Sequence, residues 1–116
     1  MFNFFSNSNV KQISQDEAKR RLDSQEKIVL VDVREDNEYA QGHIPGSINL
    51  PLSRLDQAQK ILKDQDATIF VYCLSGGRSS RAGQYLSKMG YSDVTNIGGI
   101  STWPYEIERS GRRAAV

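Results

Sequence analysis

A single cysteine is the most evident candidate for chemistry in this chain. Cys73 follows an apolar, β-branched run and opens the segment Cys73-Leu74-Ser75-Gly76-Gly77-Arg78, after which a helical pattern begins. Glycine tolerates positive φ, so the backbone of this segment can curl and direct several N–H groups inward. The first turn of the following helix adds unpaired N–H groups and the positive end of its dipole. The sequence therefore predicts a thiol inside an anion-binding loop.

Two arginines support this interpretation. Arg78 falls in the first helical turn, where a cation opposes the helix dipole, and Arg81 follows three residues later. The binding of an anionic substrate would explain this placement. Helix N-termini and nearby cations lower the pKa of a free thiol from about 8.5, so we expect Cys73 to react as a thiolate. An inert core cysteine is the alternative, but the change from strand to glycine-bearing loop at Cys73 favours a functional thiol.

Strand and helix patterns place this loop at one edge of a sheet. Continuous apolar runs at 28–33 and 68–72 predict strands buried on both faces, with shorter strands at 47–50 and 94–97. Alternation with helices predicts an α/β domain with a largely parallel sheet. Ligands of such sheets bind outside the carboxyl ends of the strands, which is where Cys73 falls. The predicted helices cover 15–24 (behind a Ser14/Glu17 capping box), 35–41, 54–63, 79–89 and a last segment that begins at Gly98 and contains Trp103.

Length and composition set limits on the function. A chain of 116 residues predicts one domain, and its net charge of +1 gives no support for a nucleic-acid or membrane surface. One cysteine excludes an internal disulfide, and one histidine leaves too few ligands for a Cys/His zinc site. The chain has neither a membrane-length apolar stretch nor a signal-peptide pattern, so we expect a cytoplasmic protein. Residues 1–9 are expected to be a flexible segment and residues 109–116 a polar tail.

Three motifs together resemble the rhodanese domain family over about residues 10–108. The first comprises Leu-Val-Asp-Val-Arg-Glu at 30–35, Glu-Tyr at 38–39 and Gly-His-Ile-Pro-Gly-Ser-Ile-Asn at 42–49. The second is Tyr-Cys-Leu-Ser-Gly-Gly-Arg-Ser at 72–79, followed by Ala82, and the third is Gly-Gly-Ile at 98–100 with Trp103. Each motif is a modest signal alone, but their order and spacing are specific.

The resemblance implies a rhodanese-like three-layer domain and a sulfurtransferase. In that family the cysteine thiolate takes a sulfane sulfur from a small anionic donor such as thiosulfate, and loop N–H groups hold the resulting persulfide. A thiol or a protein, or cyanide in the assay, then accepts the sulfur, and no cofactor or metal takes part. The residues implied here are the catalytic Cys73, the substrate-binding residues Leu74, Ser75, Gly76, Gly77, Arg78 and Ser79, and the supporting residues Asp32, Arg34 and Arg81.

Other motif residues have structural interpretations. Arg34 with Glu38 is expected to form an ion pair that fixes the short helix. His43 precedes the turn residues Ile-Pro-Gly and is expected to hold that turn rather than to act as a base, because an acidic thiol needs none. Trp103 is expected to pack in the core. Pro104 departs from the family pattern by following this tryptophan directly, which suggests an altered last helix and pocket rim.

Several alternatives remain open at this stage. Cysteine phosphatases and related arsenate reductases use a Cys-x5-Arg spacing, whereas four residues separate Cys73 from Arg78 here. A non-catalytic rhodanese-type binding or regulatory module is a second alternative, although such modules often lack the cysteine. A redox-sensing thiol is a third, and it would need a partner molecule to form a disulfide. The physiological donor and acceptor are open, with thiosulfate favoured over mercaptopyruvate by the loop composition.

Overall fold

A parallel five-stranded sheet forms the centre of the molecule. The structure is a computed structural model that describes residues 10–109. The strand order is β1-β5-β4-β2-β3, and every neighbouring pair is parallel. The strands are β1 (Lys11–Gln12), β2 (Ile28–Asp32), β3 (Ile48–Asn49), β4 (Thr68–Cys73) and β5 (Asp93–Gly99). The helices are α1 (Gln15–Leu22), α2 (Asp36–Gln41), α3 (Ala58–Ile61) and α4 (Gly77–Lys88), with 3₁₀ helices at Leu52–Gln57 and Ile100–Thr102.

The central strands bury both of their faces, which gives the domain three layers. Alternate side chains of a strand point to opposite faces, so β2 and β4 contribute to two separate cores. One core lies against α3 and α4 and contains Val31, Val71 and Cys73. The other lies against α1 and contains Phe70 and Tyr72. The continuous apolar runs at 28–33 and 68–72 thus form the buried strands that were predicted, and the predicted three-layer α/β fold is confirmed.

Strand β4 brings Cys73 to the carboxyl edge of the sheet. This strand lies between β2 and β5, so the cysteine emerges near the middle of that edge. The pairing of β4 with β5 shifts between Val71 and Cys73, which leaves Cys73 opposite Gly99. Strand β4 runs one residue further than predicted, so Cys73 is the last residue of the strand.

The predicted helix at 54–63 is wrong in form. The chain instead makes a 3₁₀ helix over Leu52–Gln57 and only one α-helical turn in α3. Arg54 has φ −123° and ψ 25°, which interrupts the helix. Of the apolar residues in this segment, Leu55, Ala58 and Leu62 are buried but Ile61 is exposed, and their spacing does not require one continuous helix.

The end of the chain also differs from expectation. Strand β5 continues through Gly99, and only a short 3₁₀ helix, Ile100–Thr102, replaces the predicted last helix. Trp103 follows it in an extended conformation, which is the conformation that a residue preceding proline prefers. Its side chain is buried against the α1 face, as expected. Strand β1 was not predicted, since two residues are too short to give a pattern.

Only one of the two hydrogen bonds of the predicted Ser14/Glu17 capping box forms. The Ser14 Oγ accepts a hydrogen bond from the Glu17 N–H at 3.0 Å, but the Glu17 side chain pairs with Arg20 instead of reaching back. Within residues 10–109 no helix is long and apolar enough to cross a membrane. The predicted terminal segments lie almost wholly outside the described residues.

Candidate active site

The predicted loop closes around the sulfur of Cys73. Strand β4 ends at this residue, Gly76 adopts a left-handed conformation with φ 110°, and α4 begins immediately afterwards. The sulfur accepts a hydrogen bond from the Gly76 N–H at 3.0 Å and lies 3.4 Å from the Ser79 hydroxyl. Cys73 is only 1% exposed. A donor must therefore reach the sulfur inside its cradle.

The cradle favours the thiolate form of Cys73. Burial raises the pKa of this thiol, but the Ser79 side chain and the backbone N–H groups of Ser79, Gly76 and Ser75 lower it by more, so the net pKa lies below its ordinary value. The lowering comes from these hydrogen bonds of the loop and the helix N-terminus, which the sequence had suggested, whereas Arg78 and Arg81, which it had also suggested, are not among the main causes. Arg81 is exposed and has no ion-pair partner among residues 10–109.

Asn96 supports the loop from β5 and was missed by the sequence analysis. Its side-chain oxygen accepts hydrogen bonds from the Ser79 hydroxyl at 2.8 Å and from the Gly98 N–H at 3.0 Å. Its amide group lies 3.4 Å from the Gly76 carbonyl. One buried side chain thus ties β5 to the loop and to α4. The only signal in the sequence is an asparagine inside the strand, two positions before Gly98-Gly99.

Ser79 offers a single proton to several acceptors. Its Oγ lies 2.8 Å from Asn96, 3.1 Å from the Gly76 carbonyl and 3.4 Å from the Cys73 sulfur, and the residue is fully buried. One hydroxyl donates to one strong acceptor at a time. Because bonds to charged acceptors are the stronger ones, the proton should turn to the sulfur when the sulfur is ionised. Ser79, expected to bind substrate, is therefore placed to stabilise the thiolate.

This arrangement predicts the pH dependence of Cys73. The rate of alkylation should rise with pH to a plateau, with a midpoint below the roughly 8.5 of a free thiol. Ser79→Ala should move that midpoint upward, because the thiolate loses a hydrogen bond that the neutral thiol needs less. Ser80→Ala is the matched control, since the structure records no side-chain hydrogen bond for Ser80, and its midpoint should equal that of the wild type. An unchanged midpoint in Ser79→Ala would contradict the assignment.

Gly99 lets the loop approach the sheet. A Cβ at this position would overlap the carbonyl group of Leu74 and the Cα of Ser75. The Leu74 carbonyl also accepts a hydrogen bond from the Ser101 N–H at 3.0 Å. The backbone of the loop is thus held directly against the end of β5. A glycine is therefore needed at position 99 because no side chain would fit there, and not because the backbone adopts an unusual φ.

The ion pairs beside the loop differ from the prediction. Arg34 does not pair with Glu38; it pairs with Asp32 at 2.7 Å, and both residues are buried. The two carboxylate oxygens of Glu38 instead accept hydrogen bonds from the two terminal nitrogens of Arg78, at 2.7 and 3.0 Å. This ion pair therefore connects the short helix α2 to the start of α4, although its two residues are 40 positions apart in the sequence. The Arg34–Asp32 pair closes the carboxyl end of β2, where Arg34 also donates to the Gly42 carbonyl.

His43 makes contacts that suit a structural role. Its Nδ1 lies 2.8 Å from the Tyr39 carbonyl, and its ring stacks on that of Tyr39 at 3.8 Å. Its backbone exchanges two hydrogen bonds with Glu108, which anchors the end of the described chain. These contacts tie the turn to two segments, in line with the expected turn-holding role.

A large cleft beside the loop does not include Cys73 among its lining residues. It has a volume of about 690 Å³ and lies between the start of α1, the loop and the end of β5. The residues that line it include Gln15, Ser75, Gly76 and Asn96. Asn96 lines the cleft and accepts a hydrogen bond from Ser79, which lies beside the Cys73 sulfur, so the cleft adjoins the loop that holds the sulfur. Among residues 10–109 no group of three or more His, Cys, Asp or Glu side chains comes together to hold a metal.

Fold and loop together define an α/β domain with an activated cysteine at the carboxyl edge of a parallel sheet. The profile of the rhodanese-like domain matches residues 14–105. The chain therefore belongs to the rhodanese-like family, as its motifs had indicated.

Relatives and solved structures agree with this assignment. A sulfurtransferase of Allochromatium vinosum is 40% identical over 96 residues, which cover 81% of this chain and 88% of the relative. A thiosulfate sulfurtransferase of Escherichia coli is 39% identical over 71 residues, covering 60% of this chain and 68% of that protein. A rhodanese-like domain protein from Staphylococcus aureus superposes with a TM-score of 0.74 at 31% identity, covering 88% of this chain and all of that one. A Bacillus subtilis relative is longer, and this chain spans only 55% of its length.

Proposed function

We propose that this chain is a sulfurtransferase that carries a sulfane sulfur on Cys73 as a persulfide, with thiosulfate as a competent donor. The observation that carries the proposal is the buried Cys73 sulfur, held by the Gly76 N–H at 3.0 Å and lying beside the Ser79 hydroxyl. Hydrogen-bond donors that favour a thiolate also favour the anionic persulfide that replaces it. The relatives named as a sulfurtransferase and as a thiosulfate sulfurtransferase support the same reaction.

The reaction divides into two displacements at sulfur. The Cys73 thiolate attacks the outer sulfur of thiosulfate, a new S–S bond forms, and sulfite leaves with the electron pair of the old one. A thiol, a protein thiol or cyanide then attacks the outer sulfur of the persulfide, and Cys73 leaves as a thiolate. No external oxidant, reductant or cofactor is needed, and the kinetics should be ping-pong. We expect the exchange to occur in the cytoplasm, without nucleic-acid or membrane partners.

Intact-mass spectrometry tests the proposal directly. Incubation with thiosulfate should increase the mass of the chain by one sulfur atom, and cyanide should remove that atom and release thiocyanate. If thiosulfate leaves the mass unchanged while a persulfide donor increases it, thiosulfate is not a donor. If neither donor increases it, the proposal fails.

Arg78 should matter for the anionic donor more than for stability. Arg78→Ala removes a cation next to the cradle and leaves the Glu38 carboxylate uncompensated, so kcat/KM for thiosulfate should fall by roughly ten- to a hundredfold. Arg78→Lys should retain part of the activity, since it keeps the charge without the planar fork. The melting temperature should change little, because the side chains of this ion pair are about 30% exposed and such pairs contribute roughly 0–1 kcal/mol.

The structure also shows the contact that a purely structural role would require. Arg78 is already engaged by an acidic neighbour, so it could serve only to shape the loop. That role predicts the opposite result, a large fall in melting temperature with an unchanged KM for thiosulfate. Steady-state kinetics and thermal unfolding of the same Arg78→Ala protein distinguish the two roles.

A further inference from the structure

The guanidinium nearest the cradle is neutralised by a carboxylate. Both terminal nitrogens of Arg78 face the two oxygens of Glu38, at 2.7 and 3.0 Å. This end-on pairing leaves the Nε–H and the outer N–H groups of the guanidinium free for a second anion. The pair is partly exposed, with 30% and 29% of the two side chains accessible, so it lies at the protein surface rather than in the core.

The carboxylate of Glu38 is held in place by more than Arg78. One of its oxygens accepts a hydrogen bond from the Glu35 N–H at 2.9 Å, as part of the capping box of α2. The Arg78 guanidinium, with help from this N–H, lowers the pKa of Glu38 to about 2 despite partial burial. Glu38 is therefore ionised at every physiological pH, and its negative charge is a fixed part of the surroundings of Cys73.

The charges around the loop cancel almost completely. Arg34 is neutralised by the buried Asp32, and Arg78 is neutralised by Glu38. Arg81, the third arginine that was expected near the anion, has no carboxylate partner among residues 10–109, and its single positive charge is equal in number to the negative charge of the Cys73 thiolate. A dianion gains little long-range attraction from such a region, because steering requires an excess of opposite charge.

We propose that Glu38 is a specificity-determining residue, which biases the loop toward sulfur donors of low negative charge, such as a persulfide R–S–SH, and against dianions such as thiosulfate. The inference rests on the sulfurtransferase function proposed above and names its preferred donor class. In the reaction, the Cys73 thiolate bonds to the outer sulfur of the persulfide and the S–S bond of the donor breaks. The pair of electrons leaves with R–S⁻, the proton stays on the transferred sulfur, and nothing is oxidised or reduced overall.

The test compares two donors of different charge on the wild type and on Glu38→Gln. Glutamine keeps the length of the side chain and an oxygen that can accept from Glu35 and Arg78, so the fold should persist. Persulfide loading is followed by intact mass with thiosulfate, a dianion, and with cysteine persulfide, whose ionised form carries a single net negative charge. Loading by thiosulfate should become roughly tenfold more efficient in Glu38→Gln, while loading by cysteine persulfide should change by less than about threefold.

Asp36→Asn is the matched control. Asp36 lies on the same helix and forms a comparable ion pair with Arg54 at 2.8 Å, but the structure records no contact of Asp36 with the loop. Its ratio of the two loading efficiencies should equal that of the wild type. Equal ratios in Glu38→Gln and the wild type would overturn the inference, as would a shift of the same size in Asp36→Asn.

Ionic strength gives a second measurement that needs no variant. A nearly neutral region predicts that the loading of wild-type protein by thiosulfate depends only weakly on salt. A steep fall with added salt would indicate a net cationic site and overturn the inference. If neither donor loads wild-type protein, the sulfurtransferase function itself fails; a donor ratio that Glu38→Gln leaves unchanged defeats only the role of Glu38.

Discussion

Replacement of Cys73 by serine should abolish sulfur loading entirely. The persulfide requires a thiolate nucleophile that can later leave as a thiolate, and an alcohol oxygen provides neither at neutral pH. The cradle makes this residue the only place where the chemistry can occur, because Cys73 is the one cysteine of the chain. The expected result is no mass increase with thiosulfate and no release of thiocyanate on addition of cyanide.

The substitution should leave the fold intact, which makes the result interpretable. A serine hydroxyl is smaller than a thiol and can accept the same hydrogen bond from the Gly76 N–H. Circular dichroism and thermal unfolding of Cys73→Ser provide the control. Turnover of thiosulfate by a folded Cys73→Ser protein would show that the sulfur is carried elsewhere, or not carried covalently at all.

Gly99→Ala should disrupt the site by moving the loop. The added methyl group would occupy the space of the Leu74 carbonyl, and a backbone atom cannot rotate away as a side chain can. Overpacking costs about 1–3 kcal/mol even where side chains can adjust, so we expect at least about 2 kcal/mol of destabilisation, or roughly 8 °C or more in melting temperature. Loading of Cys73 should fall to a small fraction of the wild-type rate, because the loop that supplies its N–H groups is displaced.

Gly77→Ala separates this close approach from a general effect of replacing glycine. A Cβ at Gly77 would meet no atom within 4 Å, and the residue lies in the first turn of α4, where alanine is favourable. Its melting temperature should be equal to or slightly higher than that of the wild type. A Gly99→Ala protein that melts like Gly77→Ala would show that the loop adapts without cost.

The central elements were predictable because their signals are local. A six-residue apolar strand ending in a cysteine, then glycines and a helical pattern, needs no tertiary information to be recognised, and β4 and α4 were found close to the expected positions. Segment 54–63 was harder, because apolar spacing marks the buried side of a helix without excluding a break such as the one at Arg54.

The partners of charged residues could not be predicted in the same way. Arg34 lies four residues before Glu38, so a local pair was the natural expectation. The order of the strands instead brings Arg78 to Glu38 and leaves Arg34 to the buried Asp32. The role of Asn96 was not predicted for a similar reason, since its hydrogen bonds join β5 to residues 17 and 20 positions earlier in the sequence. Such pairings depend on which distant segments the fold brings together, and the spacing of apolar residues carries no information about that.

The attachment of the loop by its backbone has a consequence for engineering. At these positions the contacts are made by the backbone: the Leu74 carbonyl accepts from Ser101, and the Ser75 N–H bonds to the Cys73 sulfur. The Leu74 side chain is 45% exposed, and Ser75 is also exposed. Any residue with a backbone N–H could therefore replace Ser75 without changing the cradle, and proline alone would remove the donor. A library randomised at these two positions would diversify the exposed surface beside Cys73 while the hydrogen bonds that hold the sulfur stay constant, so this surface can change independently of the thiol's environment.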